Sequence, residues 1–444
     1  MFENIKEFIG RVKNGMFDKK VIGTAIAADI AMSDEMARAQ RVWKEMYEEQ
    51  EGLHLPAAIS FEMARLITVE MNSRISGGRR GDFLDGCYRQ VIENIRIPME
   101  YGCAKGGLAM KPYVSGGKIK VDFIQADKFF PTEFDETGKI RGAVFVQTRK
   151  IGSRYYTRLE RHSFVGDTYE ISNQAFCSNS CDYLGRSVPL GEVEEWKALA
   201  PTLSVKNVTQ PLFGYFRPAI ANTIDSNSPL GVSVYANAVN LISDADKQYE
   251  RFLWEFESGE RALVANAMAF KRDKDGRPRL PDRRLYRTLE VEDMDFFREW
   301  SPELRESEIT KGLNRILRQI EFNCGFAYGT LSEVSDTEKT AEEIRASKQR
   351  SYATVSDNQK ALKNALLELV YAMDVWCTLY NLAPKGDYSV SFDFDDSIEA
   401  DRKTQFEEKQ ALVNAGIMAP WEFRMWYFGE DEETAKTKMP GKNK

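Results

Sequence analysis

The sequence predicts an α+β fold, an elongated series of helical and β modules in place of one compact globule. Three observations carry that expectation. The 444 residues exceed what a single hydrophobic core organises, so two or three domains or a very elongated subunit are expected. The hydrophobic pattern switches between a period near 3.6 and a period of two several times along the chain. No internal repeat or low-complexity tract is visible, so the modules differ from one another.

Residues 32–100 read as helices. Ser33 suits the N-cap of a segment running to Glu51, because its hydroxyl can accept a free first-turn N–H. A second helix follows Ser60 in SFEMARLITVEMNSRI, where Met63, Leu66, Ile67 and Met71 recur near helical spacing. A third begins near Phe83. From Gly106 the period falls to two. GGLAMKPYVSGGKIKVDFIQ reads as a hairpin around Ser115, Gly116 and Gly117, and KIRGAVFVQTRK, RYYTRLERHSFV and TYEISNQAF continue a β meander to roughly residue 210.

After TIDSNSPLGVSVY, a turn rich in Ser, Asn and Pro, a helix is expected from about Val232 to Ser258, about 40 Å long, with Gly259 as its stop. ALVANAMAFK is β-like, and the two prolines of KDGRPRLPDRR mark a polar turn that no helix accommodates. Helix returns near Pro302 in SPELRESEITKGLNRILRQIEFN. The loop FAYGTLSEVSD follows Gly325, and the longest helical pattern of the chain then runs from about Thr340 to Leu382. Thr340 and Glu343 form a capping box at its start, and Leu362, Leu366, Leu369, Val370, Met373 and Trp376 give it one apolar face. A strand, YSVSFDFD, leads to the helical tail DRKTQFEEKQALVNAGIMAPWEFRMWYFG, and the polar last dozen residues are expected to fray.

Composition narrows the function classes. Hydrophobic and charged fractions of 43% and 29% are those of ordinary soluble protein, and no apolar run approaches the roughly 20 residues that span a bilayer. MFENIKEFIGRVKNGMF mixes charges into its apolar positions and has neither the h-region nor the cleavage site of a signal peptide, so a cytoplasmic product is expected. Cys87, Cys103, Cys177, Cys181, Cys324 and Cys377 are too sparse for a disulfide scaffold and are expected to be reduced. Only Cys177 and Cys181 lie close together, and with His54 and His162 the only histidines a four-ligand zinc site is not expected. A net charge of −7 argues against a protein that coats DNA through counterion release.

Enzymatic chemistry has few candidates. The GxSxG elbow and the GxxxxGK[ST] phosphate loop are both missing, and Gly106 and Gly107 precede a strand rather than a helix N-terminus. Two histidines leave little for imidazole acid–base work, and no cofactor is called for. FDFDDS, with Asp393, Asp395 and Asp396, has the acidic pairing that can hold divalent metals for phosphoryl chemistry, which makes a metal-dependent DNA-processing enzyme the alternative class. The simpler account is a strand end followed by acidic capping residues, since the glycine and regular acids of an EF-hand are missing.

The most informative stripe lies on the helix after Pro302. Ile309, Leu313, Ile316, Leu317 and Ile320 share one side, and Lys311, Arg315 and Arg318 fall within about 60° on the opposite side. The basic column either faces DNA phosphates or is a solvated face, paired with the acidic helix that carries Asp244, Asp246, Glu250, Glu255 and Glu257. The loop from Phe326 to Thr337 is either a mobile element in a channel or an ordinary helical-hairpin connection.

Four segments carry a family likeness through their order. GGLAMKPYVSGGKIKVDFIQADKFFPTEFDETGKIRGAVFVQ has a G-x-A-x-x-x-Y-type entry and a step to proline from Asp127 to Pro131. SPLGVSVYANAVNLISDADKQYERFLWEFESG has a Ser, small, Gly, x, Ser lead into a helix. SDTEKTAEEIRASKQRSYATVSDNQKALKNALLELV opens on T-A-[TE]-E-[IV], and VSFDFDDSIEADRKTQFEEKQALVNAGIM is a strand ending in Asp with a Gly-Ile tail. Together these span roughly residues 60–430 and resemble the portal proteins of tailed bacteriophages, particularly those of siphophage-like and myophage-like viruses of Gram-positive hosts. Residues 176–204 match no portal pattern.

The resemblance implies a non-enzymatic, dodecameric ring at one capsid vertex of the virion, assembled in the host cytoplasm, through which double-stranded DNA passes during packaging, retention and ejection. It implies contacts with the major capsid and scaffold proteins, the terminase large subunit and a head-tail adaptor, and no membrane. It implies a portal-type subunit: N-terminal helices and β-rich wing over 1–231, stem helix over 232–258, β-containing clip over 259–302, and second stem helix over 303–325. A tunnel loop over 326–337, a long wing helix with returning strand over 338–395 and an α-helical C-terminal crown over 396–444 complete it. Lys311, Arg315 and Arg318 become DNA-channel candidates, and Tyr328, Gly329, Thr330, Leu331, Ser332 and Glu333 become tunnel-loop candidates. A head-to-tail adaptor is a further reading, though adaptors are much shorter.

Overall fold

Ser33 starts the first helix as expected, its hydroxyl accepting the Met36 amide, and α1 (Asp34–Glu48) buries Met36, Gln40 and Trp43. The computed structural model describes residues 31–333 and 341–438 apart from 50, 70, 181–183, 260–261, 395–401, 429–431 and most of 267–302. Helix α2 (Leu55–Thr68) begins ahead of Ser60 because Pro56 presets the first turn. Ser60 lies buried inside it, with its hydroxyl bonded back to the Pro56 carbonyl. MNSRIS, assigned by periodicity to the end of that helix, is strand β1 (Met71–Ser76), which pairs with the distant segment Ser389–Phe394. Helices α3 (Gly78–Asn94) and α4 (Arg96–Lys105) follow. Gly106 stops α4 at φ +83°, where a Cβ would lie 2.8 Å from the Gly231 carbonyl oxygen, so backbones 106 and 231 meet only as glycines.

The predicted meander is present. β2 (Leu108–Ser115) and β3 (Lys118–Gln125) form the hairpin. A six-stranded sheet contains β4 (Phe129–Phe134), β5 (Ile140–Ile151), β6 (Arg154–Val165), β7 (Thr168–Ser178), β8 (Arg186–Val188) and β9 (Thr202–Lys206). β8 pairs with Ala175–Cys177 and β9 with Thr168–Ser172, so the two short strands lie end to end along the free edge of β7. That gives the stretch 176–204 its place: Val188, Val193 and Trp196 close a small separate core over Ala175 and Cys177. β10 (Gly214–Phe216) joins β2 in a second sheet, ordered β10-β2-β3.

Helix α5 (Val239–Ser258) begins later than Val232. The Val234 amide donates to the Cys103 carbonyl and the Tyr235 hydroxyl to the Trp43 carbonyl, and these long-range bonds hold the segment out of helix. Strands β11 (Ala262–Asn266), β12 (Tyr286–Leu289) and β13 (Phe297–Trp300) form a sheet ordered β12-β11-β13. Helix α6 (Glu306–Cys324) returns antiparallel to α5, with Arg305 at Glu255, Gly312 near Gln248 and Asn323 at the Asn237 carbonyl.

Helix α7 (Ala341–Leu379) buries the whole predicted stripe from Leu362 to Trp376; Thr340 lies outside the described residues. β14 (Ser389–Phe394) pairs antiparallel with β1. Helices α8 (Arg402–Asn414), α9 (Pro420–Phe428) and α10 (Glu432–Thr437) form the tail, and α10 occupies part of the stretch expected to fray. The fold is thus α+β, and no helix among the described residues is long and apolar enough to cross a membrane.

One hydrophobic core joins α1–α4, the β2–β3–β10 sheet, the start of α5, the end of α6 and α7. Each fully buried large side chain in it, such as Trp43, Tyr88 or Leu366, contributes about 1.5–3 kcal/mol. Arg80, 2% exposed, ties α3 to the end of α7. Its guanidinium donates to Asp374 Oδ1 and the Asp374 carbonyl, both at 2.6 Å, to the Ala383 carbonyl at 3.0 Å, to Cys377 Sγ and to Thr378.

Candidate functional site

The apolar face of α6 packs as its spacing demands. Ile320 is fully buried, and Leu313, Ile316 and Leu317 pack half-buried against the main core. The opposite face carries Lys311 and Arg315, both exposed. Neither makes a hydrogen bond or ion pair among the described residues. Three acids of α5 are committed elsewhere: Asp244 pairs with Lys247, Asp246 accepts the Leu53 amide, and Glu255 holds Arg305. That last pair closes the far end of the hairpin. Arg305 Nη2 donates to Glu255 Oε2 at 2.8 Å and its backbone N–H to Oε1 at 3.1 Å, and these bonds hold the Glu255 carboxyl below its usual range.

Arg318 separates from the other two cations. It is half-buried, its Nη2 lies 3.5 Å from the Glu333 carbonyl, and its Nε is buried with no hydrogen-bond partner among the described residues. The predicted column of three is therefore an exposed pair plus one arginine turned toward the following loop.

That loop has a defined shape over Phe326–Glu333; positions 334–337 lie outside the described residues. Gly325 ends α6 at φ +75° and Phe326 is fully buried. The carboxylate of Glu321, itself fully buried, accepts the amides of Gly329, Leu331 and Ser332 and the Ser332 hydroxyl. Asn314 Oδ1 accepts the Glu333 amide. Arg350, from α7, donates to the Phe326 carbonyl and stands over the rings of Phe322 and Tyr328. Of the six loop candidates, Tyr328, Thr330 and Glu333 are exposed, Gly329 and Leu331 are half-buried and Ser332 is buried. Sequence reasoning missed Glu321 and Arg350. The only local signal for Glu321 was a carboxylate beside the apolar stripe one turn before a glycine stop, and Arg350 had none.

The other chemical candidates do not come together. Asp393 sits in β14 opposite Asn72, and Asp395 and Asp396 lie outside the described residues. Among the described residues no cluster of three or more His, Cys, Asp or Glu could hold a metal ion. Cys87, Cys103, Cys177, Cys324 and Cys377 are free and buried, and burial pushes the Cys324 thiol up to about 12, away from a reactive thiolate.

The sequence model of a family described as phage portal protein, SPP1 Gp6-like, matches residues 93–436, from the end of α3 into α10. The chain belongs to the phage portal protein family. No curated protein matches it. The match takes in the six-stranded sheet, the α5–α6 hairpin, the loop and α7 together, so the function of this chain is that of a phage portal protein, whose family is structural. The enzymatic alternative built on Asp393, Asp395 and Asp396 has no support. In this portal protein the hairpin combines an inward apolar face with surface cations that make no ion pair among the described residues, and the loop that follows is fixed to it through Glu321.

Proposed function

We propose that this portal protein assembles as a dodecameric ring at one capsid vertex and conducts double-stranded phage DNA in packaging, retention and ejection. Its body is the wing, formed by residues 1–231 with the α7 region over 338–395. The stem is the hairpin of 232–258 and 303–325, the clip is 259–302, the tunnel loop is 326–337 and the crown is 396–444. The clip end docks the terminase large subunit during packaging and a head-tail adaptor afterwards, and the wing meets the major capsid and scaffold proteins. Assembly takes place in the host cytoplasm, and the product resides in the virion.

The observation that carries this reading is the α5–α6 hairpin, with its apolar stripe packed inward and Lys311 and Arg315 exposed, with no ion pair among the described residues. A ring multiplies the net charge of −7 per chain, so the assembly as a whole repels DNA while sparse cations touch it weakly. Weak contact suits a duplex that must slide. Negative-stain imaging of the purified protein tests the assembly: a monodisperse ring with a central hole is expected, and a persistent monomer active on DNA would overturn it. The double substitution K311E/R315E tests the DNA contact. Rings should form and packaging or genome retention should fall, whereas wild-type packaging would remove both residues from the role. R318E, by contrast, acts on the loop.

A further inference from the structure

We infer that Glu321 is the positioning residue of the loop, the group that decides which loop side chains the portal offers to DNA. The biological meaning rests on the conduit reading; the geometry does not. Glu321 has a relative exposure of 0%. Its Oε1 accepts the amides of Gly329 at 3.0 Å, Leu331 at 2.6 Å and Ser332 at 2.8 Å, and its Oε2 accepts the Ser332 hydroxyl at 2.9 Å. Among the described residues no cation pairs with it.

A carboxylate taken out of water is costly unless hydrogen bonds replace its hydration. Here every replacement comes from one stretch of loop. Loop shape and buried charge are therefore coupled, since the loop cannot leave Glu321 without stranding the charge in the core. Hydrogen bonds to an ionised acceptor are also roughly twice as strong as neutral ones. Three amides converging on one oxygen force the chain to curl around it. The curl turns Leu331 and Ser332 inward and leaves Tyr328 and Thr330 on the surface. Arg350 secures the start of the loop at the Phe326 carbonyl, and Asn314 holds its last described residue at the Glu333 amide. Of the three exposed side chains, Tyr328 and Thr330 are the ones that can meet DNA, since phosphates repel the Glu333 carboxylate, and Gly329, Leu331 and Ser332 are scaffolding held by a residue outside the loop.

The competing explanation is apolar packing, because Phe326 is buried in the main core and Leu331 packs against it. Hydrogen exchange on the assembled full-length protein separates the two. In the wild type the amides of Leu331 and Ser332 should be protected although they lie in a loop. In E321A they should exchange on the order of a hundredfold faster, while the amides of Leu313 to Leu317 within α6 stay unchanged. E321Q keeps one oxygen acceptor and should fall between the two. S332A removes one donor and should speed exchange by about tenfold in the loop alone. Should E321A fail to fold, the other two variants still decide. Wild-type protection retained in E321Q and S332A, or loss spread equally through α6, would overturn the inference. In assembled particles, E321Q should lower DNA retention. Normal retention despite a loosened loop would overturn the positioning role, and the conduit reading, tested through K311E/R315E, would stand.

Discussion

Replacing Glu160 by glutamine should be among the most damaging single changes to the six-stranded sheet. Glu160 lies on β6 at 8% exposure, with Lys111 and Arg158 beside it at 5% and 8%. Its Oε2 accepts Lys111 Nζ at 2.5 Å and lies 3.0 Å from Arg158 Nη2, and its Oε1 is 2.9 Å from His162 Nε2. The other imidazole nitrogen, Nδ1, is 2.9 Å from the Tyr169 hydroxyl, which accepts the Leu212 amide. The consistent proton assignment is a neutral His162: Tyr169 donates to Nδ1, and Nε2–H donates to Glu160. E160Q would take from two buried cations the carboxylate that bonds them directly, leaving the Asp122 carboxylate across from Lys111 to act on both. Removing one partner of a buried pair costs about 3–5 kcal/mol, so urea unfolding of the full chain at pH 7 should show a loss of that size. Adding Lys111→Met should recover part of it. Acidification gives a second readout. Burial pushes the Glu160 carboxyl up, but Lys111, the His162 hydrogen bond and Arg158 outweigh it and hold it well below its ordinary 4.5. Its stabilisation is complete above that value and is lost as pH falls through the folded value. Burial likewise lowers His162 below its ordinary 6.5, so the imidazole also withdraws stability on acidification, from about pH 6.5 downward. Wild-type stability should fall in two stages, and E160Q should lack the lower one. A cost below about 1 kcal/mol, or an unchanged slope below pH 4.5, would refute the reasoning.

Two further substitutions probe the joints between elements. Arg80→Ala removes the guanidinium that links α3 to Asp374 and the Ala383 carbonyl, and should cost about 3 kcal/mol or more; Arg80→Lys should fail nearly as badly, because one ammonium cannot reproduce the fork. A thermal midpoint that does not move would argue against this joint. Gly325→Ala places a Cβ at φ +75° and 2.4 Å from Thr354 Oγ1, so it should cost about 1–2 kcal/mol, with the steric share relieved by Thr354→Ala in the same unfolding assay.

What was legible in the sequence was what local periodicity encodes. The stripe from Leu362 to Trp376, the apolar face of α6 and two of the three cations opposite it, Lys311 and Arg315, follow from helical spacing alone, whereas the half-buried Arg318 turns to the loop. The hairpin at Gly116 and Gly117 was equally local. The misses share one cause. MNSRIS continues a helical pattern but pairs with Ser389–Phe394, and Val232–Tyr235 reads as helix but bonds to Cys103 and Trp43. In both places a distant partner overrode local preference. The loop repeats the lesson, because its organiser lies on the preceding helix and its clamp, Arg350, on the next.

The distribution of cations argues for where this portal protein is rigid and where it is open to a partner. Arg80, Lys105, Lys111 and Arg158 are buried, and each is held by a carboxylate. Fixing a cation among several acceptors binds its strands and helices to one geometry, which suits a body that must resist force. Lys311 and Arg315 are exposed, with no ion pair among the described residues, on a helix whose other face is anchored in the core. Exposed charges of this kind act over about 8 Å at physiological salt and exchange partners at little cost. Salt should therefore weaken contact with a duplex long before it loosens the body, because the buried pairs are screened far less. The proposed conduit calls for that separation: strength in groups buried away from the channel, and, at Lys311 and Arg315, contacts too weak to arrest a sliding duplex.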